Sequence, residues 1–212
     1  MRLVSTNSEK PGKRQRTRAQ LVQAARIVFS VKGLQGASIQ EIAAEAGLAN
    51  GTFYNYFQTK EEIAQAVAVE SAVALSQRIA QAHAGVEDGA ERVAIGARHY
   101  MRLAVHEPVL AGLIVHLAAE TSDFAANVRG YVQADFQLGQ RQGRFAQIPA
   151  PLALDFIFTT VLMGMRRLLQ QQTRNSLAYA SSVVTLVLSG LGMPQAEAAK
   201  IARRPLPPLP EN

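Results

Sequence analysis

The chain has 212 residues, of which 48% are hydrophobic, with no cysteine and a formal net charge of +6. This length and composition suit one large domain or two small ones with a real core, and they exclude a disulfide framework, a thiolate metal site and a cysteine nucleophile. The charge is uneven: residues 1–36 hold eight Lys/Arg and one Glu, so the remaining 176 residues sum to −1, and a basic front on a near-neutral body points to a polyanionic partner at that end.

In chain order, Met1 to Gly12 is polar and closes on Pro11-Gly12. Residues 1–13 therefore read as a flexible basic arm. The first 20 residues hold no continuous apolar run, so no secretory signal is expected and a cytoplasmic location is. From Arg14 to Lys32 the pattern is helical, with Leu21, Ala25, Val28 and Phe29 on one face. Gly33 is a natural stop. Ser38-Ile39-Gln40-Glu41 has the pattern of a capping box. Ile39, Ile42, Ala43 and Ala46 follow as a short apolar stripe, and Gly47 ends that helix after about two turns. A third helix is expected over about Asn50 to Phe57. Thr59 to Glu62 repeats the capping pattern and opens a long helix, about Lys60 to Ala84.

The rest is also helical, with no alternation of period two. Helices are expected over Ala90–His106, Pro108–Thr121, Phe124–Gln142, Leu152–Gln172 and Leu177–Leu191. Asn175 to Ala196 carries no charge over 22 residues, long enough to span a bilayer. Its many hydroxyls and its Gly-Met-Pro ending favour a buried helix instead, so no membrane partner is expected. Arg203 to Asn212 holds four prolines in "PLPPLP" and reads as a frayed tail, residues 204–212. The fold class expected is all-α.

A short helix, a glycine turn and a second short helix make a helix-turn-helix, whose second helix enters the DNA major groove. Phe53 and Phe57 are four apart and face inward onto Leu48, Ile42 and the first helix. Tyr54 and Tyr56 lie off that face, where a hydroxyl can donate to a phosphate. Thr52 can reach a phosphate or a thymine methyl. Gly51 lets the backbone approach the duplex. Lys60 sets a charge beside exposed helix N–H groups, and both attract phosphate. Arg14, Arg16 and Arg18 are either an exposed face or minor-groove contacts.

The stretch "GASIQEIAAEAGLANGTFYNYFQTKEEI", preceded by a helix ending "VFSVKG", resembles the TetR family of bacterial transcriptional repressors. The resemblance spans roughly residues 14 to 63; beyond it the chain matches in length and helical character alone. It implies a helix-turn-helix domain at 14–60 and a helical ligand-binding and dimerisation domain at 61–203. It also implies a homodimer on a palindromic double-stranded operator, released by a small-molecule effector. Gln40, Asn50, Gly51, Thr52, Tyr54, Tyr56 and Lys60 match the family's DNA-contacting positions. Gln40 and Asn50 are the expected base readers, because amides pair bidentately with adenine. Ala49 departs from the pattern, in which Ser or Thr often caps the helix, and Asn50 or Thr52 is expected to stand in.

No Gly-rich phosphate loop, GxSxG elbow or paired-His motif is present, so neither an enzyme nor a cofactor is expected. His116 and Glu120 are four apart, but no third ligand is evident, so no metal is expected. His99, Arg102 and His106 read as a solvated face. The stripe Phe124, Val128, Tyr131, Asp135, Leu138 is apolar but for Asp135 and the Tyr131 hydroxyl, which need partners or a ligand. The candidate ligand residues are His116, Tyr131, Asp135, Thr160 and Met163, for a largely apolar effector of unknown identity. The alternative is a filled core and a regulator insensitive to ligand. Leu152 to Leu169 is apolar nearly all round and must be covered on both sides. Phe158 and Leu162, with Val184 and Val187 of the next helix, are the expected dimer surface.

Overall fold

A computed structural model of the chain describes residues 12–120, 122–170 and 176–210. Among the described residues the regular structure is ten helices and no strand. The chain divides into two compact units, Met1–Val67 and Ala68–Asn212. The expected basic arm lies almost wholly outside the described residues.

The first unit holds α1 (Lys13–Gly36), α2 (Ile39–Glu45), α3 (Asn50–Phe53) and the start of α4 (Lys60–Ala82). The regular part of α1 ends at Gly33, where φ is +69°. Its buried face is Leu21, Val22, Ala24, Ala25, Val28 and Phe29. These meet Ile42 and Ala43 of α2, and Phe53, Phe57 and Ile63 complete a small core. Ser38 caps α2 as its spacing predicts: its hydroxyl oxygen accepts from the Glu41 N–H, and Glu41 accepts from the Ser38 N–H at 3.0 Å. Lys32 pairs with the same carboxylate. The Lys32 contact first, then the Ser38 hydroxyl and N–H, lower the Glu41 carboxyl to about 2.

The second unit holds the rest of α4 and then α5 (Gly89–His106), α6 (Pro108–Glu120), α7 (Ser122–Arg141), α8 (Ala150–Gln170), α9 (Ser176–Gly190) and α10 (Gln195–Ala202). Helix α5 is the hub, packing against each of α6 to α10. Its N-terminus lies so close to α7 that a Cβ on Gly89 would sit 2.2 Å from the Gly139 nitrogen. Arg144 fastens the same end, donating to both oxygens of Asp88 and, at 2.5 Å, to Glu197 of α10. Helix α10 is absent from the sequence-based expectation. Pro194 sits at its N-cap, where a missing N–H costs nothing, and a single apolar face (Ala198, Ile201, Ala202) is all that eight residues can show. No helix among the described residues is long and apolar enough to cross a membrane.

The expectation of a frayed tail is wrong for residues 205–210. The Leu206 and Leu209 side chains pack on a cluster of Leu75, Ile79 and Ile95. The strap is pinned along its length: Arg98 donates to the Arg204 carbonyl, His99 Nε2 to the Pro207 carbonyl at 3.1 Å and Arg78 to the Pro210 carbonyl at 3.0 Å. Arg204 also pairs with Glu91. The solvated reading of His99 fails for the same reason, since the strap covers it and leaves it 5% exposed. Proline dictates an extended chain, not a free one.

Burial lowers the His99 pKa to about 4 from its ordinary 6.5. An unfolded chain therefore takes up a proton that the folded one refuses, and stability falls as pH drops from about 6.5 toward 4. Deleting residues 205–212 is expected to cost about 2 kcal/mol through lost burial of the two leucines and several degrees of Tm. It should also remove the His99 part of the acid sensitivity. Thermal melts of both chains at pH 7 and pH 5 check this.

Candidate nucleic-acid interface and ligand cavity

The turn between α2 and α3 is made by backbone. Gly47 takes φ +64°, and the Leu48 N–H reaches back to the Ala43 carbonyl at 2.9 Å. This is the Schellman closure that a left-handed glycine allows. The Gln20 side chain donates to the Ala46 carbonyl at 2.6 Å, tying α1 to the end of α2. Helix α3 starts at Asn50 with Ala49 at its N-cap and no side-chain cap bond. Asn50 and Thr52 therefore do not stand in for the missing cap. The regular helix also stops at Phe53, short of the expected Phe57, and a tightened turn follows in which the Tyr56 and Phe57 N–H groups share the Phe53 carbonyl.

Phe53 and Phe57 are buried, their rings 5.9 Å apart, and Arg18 lies over Phe57. Tyr54 is 46% exposed and Tyr56 half-buried. Gln40, Asn50 and Gly51 are exposed, and Thr52 and Lys60 are half-buried. Tyr54, Asn50 and Gly51 thus sit on the outer side of a helix whose inner side is aromatic core. Lys60 is committed within the protein. Its ammonium donates to the Ala37 carbonyl at 2.9 Å and clasps the α1–α2 connection. A Cβ added to Gly51 would meet nothing within 4 Å, and its φ is not left-handed. No internal packing requires glycine there.

The second unit contains a cavity of about 60 Å³. Val93, Ala97, Ile114, Val128, Ile157, Val161 and Met165 supply much of its apolar wall, and Asp135, His83, Arg92, Tyr100 and Ser76 a polar edge. Asp135 is buried between His83 Nε2 at 3.2 Å and an Arg92 nitrogen at 3.8 Å. Tyr100 donates to the Ala72 carbonyl at 3.0 Å and accepts from the Ser76 hydroxyl at 2.9 Å. Burial raises the Tyr100 phenol to about 12. His83 Nδ1 is buried with no partner among the described residues.

Of the expected ligand residues, Tyr131 and Asp135 line this cavity, and His116, Thr160 and Met163 do not. His116 is exposed on α6, and Met163 is 56% exposed on the outer side of α8. The expected dimer surface is also corrected. Phe158 and Leu162 line the cavity, and Val184 and Val187 are fully buried in the chain's own core, where a second copy cannot reach them. The outward apolar residues are Leu152 and Met163 of α8, and Leu177 and Leu186 of α9. His83, Arg92, Ser76 and Tyr100 are absent from the sequence-based expectation. Its one signal was the demand that Asp135 have partners. No group of three or more His, Asp or Glu that could hold a metal occurs among the described residues.

Residues 21–67 match the model of the bacterial regulatory proteins of the tetR family. Residues 88–204, more than half the chain, match that of a tetracyclin repressor-like C-terminal domain. The chain belongs to the TetR family of DNA-binding transcription regulators. Among solved structures it is similar to RolR in complex with resorcinol, with a TM-score of 0.81 and 28% identity over 93% of this chain and 98% of that one. RolR without ligand gives a TM-score of 0.79 and 27% identity over 91% and 100%. FadR of Bacillus subtilis in complex with stearoyl-CoA, 22% identical over 81% and 98% with a TM-score of 0.66, shares the fold. The chain is also 50% identical over 48 residues to YvdT, an uncharacterised HTH-type transcriptional regulator of Bacillus subtilis (strain 168). That match spans 23% of this chain and 25% of YvdT.

Gly51→Ala separates folding from recognition. With open space at the Cβ, alanine should leave stability unchanged or raise it by up to ~1 kcal/mol through helix propensity. If the backbone approaches a duplex there, DNA affinity should fall at least tenfold. Thermal melts and fluorescence anisotropy on selected DNA check the two arms.

Proposed function

We propose that the protein is a repressor that binds a palindromic operator as a homodimer and is released by a small, largely apolar, hydroxylated effector. The observation that carries the effector part is one polar edge in an otherwise apolar cavity. Asp135 accepts hydrogen bonds, Arg92 donates them, and the unpartnered His83 Nδ1 is satisfied when a hydroxyl meets it. The cavity favours this reading over a filled, ligand-insensitive core. RolR, crystallised with a dihydroxybenzene, supports the class of compound.

For DNA, Gln40 and Asn50 are the proposed base readers, with Thr52, Tyr54 and Tyr56 on the backbone and Gly51 at closest approach. Lys60 supports them by fixing the α1–α2 connection and offers its remaining N–H to a phosphate. Subunit pairing is assigned to the outward faces of α8 and α9 that carry Leu152, Met163 and Leu186, because these exposed apolar residues have no cover among the described residues of a single chain. A two-fold axis there makes a palindromic site a consequence of symmetry.

Two experiments test this reading. Resorcinol should raise the Tm of the wild type and weaken its hold on selected DNA, and Asp135→Asn should abolish at least nine-tenths of both responses. No response from any di- or monohydroxybenzene would remove the effector part. Met163→Asp with Leu186→Asp should give a folded monomer by sedimentation that has lost tight binding to a palindrome. Val184→Asp should instead unfold the chain, because it leaves an unpaired charge in the core.

A further inference from the structure

Outside the effector cavity the second unit carries a groove with a different chemistry. Its walls are Arg98 and Arg102 of α5, Arg203 at the end of α10 and Leu206 of the strap, and its floor is the first three turns of α9, including Leu177 and Ser181. It shares no residue with the cavity. The groove encloses about 470 Å³, room for a metabolite-sized molecule. Three arginines line it, and among the described residues its lining contains no Asp or Glu.

This concentration of charge is uncompensated. The neighbouring Arg204 is paired with Glu91. The Arg102 and Arg203 side chains have no hydrogen-bond or ion-pair partner among the described residues. Arg98 spends one N–H on the Arg204 carbonyl and keeps others for the groove. Its pKa is lowered by burial first and then by the Arg102 charge beside it, so like charges are held together there at a cost that an anion would remove. The floor adds selectivity. Thr185 and Ser182 commit their hydroxyl protons to helix carbonyls, and Ser181 keeps its hydroxyl uncommitted among the described residues. Leu177 and Leu206 offer a short apolar surface next to the charge.

We propose that this groove is a second small-molecule site, for an organic anion whose carboxylate or phosphate groups sit on Arg98, Arg102 and Arg203 while a short carbon body lies on Leu177 and Leu206. Guanidinium forks suit both head groups, since each presents two oxygens at the right spacing.

The test uses the full chain at low ionic strength, with citrate and pyrophosphate as probes against sodium chloride of equal ionic strength. Wild type should show a saturable rise in Tm with at least one probe, and isothermal titration should give a finite Kd. Citrate and pyrophosphate separate a carboxylate preference from a phosphate one. Arg102→Gln with Arg203→Gln, both exposed positions, should weaken that binding at least tenfold and leave the response to resorcinol intact. The control Arg141→Gln, an exposed arginine outside the groove, should bind the probe as wild type does. A Tm rise no larger than that from chloride, or one that the double variant retains, overturns the proposal. So does a double variant that changes the monomer–dimer balance while the wild-type dimer ignores both probes, because the arginines would then serve a subunit contact.

Discussion

A buried carboxylate constrains the second unit more than any other single group. An unpaired charge in an apolar interior costs several kcal/mol even after relaxation, so it must be paired or lose its charge. Asp135 is paired from two sides, by His83 at the end of α4 and Arg92 in the first turns of α5. Those two side chains can reach α7 only if α4 and α5 run beside it at one height. The Gly89–Gly139 contact and the Arg144 clamp fix the same end of α5. Polar groups gathered at one edge cannot interdigitate as aliphatic ones do, and the cavity lies where they meet the aliphatic wall.

The DNA-binding half was legible because its signals are local. A capping box, a left-handed glycine and two phenylalanines four apart each act over fewer than six residues. Ser38, Gly47, Phe53 and Phe57 all stand where their spacing puts them. One departure there is also local in scale. Ala49 leaves α3 uncapped, and the helix tightens after one turn. Lys60 adds a contact of longer reach: its ammonium donates to the Ala37 carbonyl, and no short-range pattern announces a partner 23 residues away.

The other half was legible in its helices and not in their faces. Leu154, Phe158, Leu162 and Met165 point inward, and Leu152 and Met163 outward. A helix with leucine on every side has no polar face to mark which way is out, so its pattern cannot choose between core and partner, and the two apolar faces of α8 were interchanged. The same holds for α9, where Val184 and Val187 lie inside and Leu186 outside. Tyr131 and Asp135 line the cavity as their pattern suggests, because a polar residue on an apolar stripe has a definite side. The strap was missed for the opposite reason. Leu206 and Leu209 are three apart in a proline frame, a spacing that suits a left-handed extended helix of three residues per turn as well as no structure at all.

The size of the cavity bears on how an effector could act. An apolar cavity of ~150 Å³ is what admits benzene in an engineered protein, and this one is less than half that, about 60 Å³. An aromatic effector cannot enter it as it stands, so the wall must yield. Met165, with three rotatable bonds, can repack at small cost. Val93, Val128, Ile157 and Val161 are branched at the β-carbon and cannot swing aside without their helices. A ligand that fitted the existing space would bind both functional states alike and shift nothing, however tightly it bound. One that must separate α5, α7 and α8 to enter binds the separated arrangement preferentially. Its influence on DNA affinity is bounded by the free energy that this separation makes available.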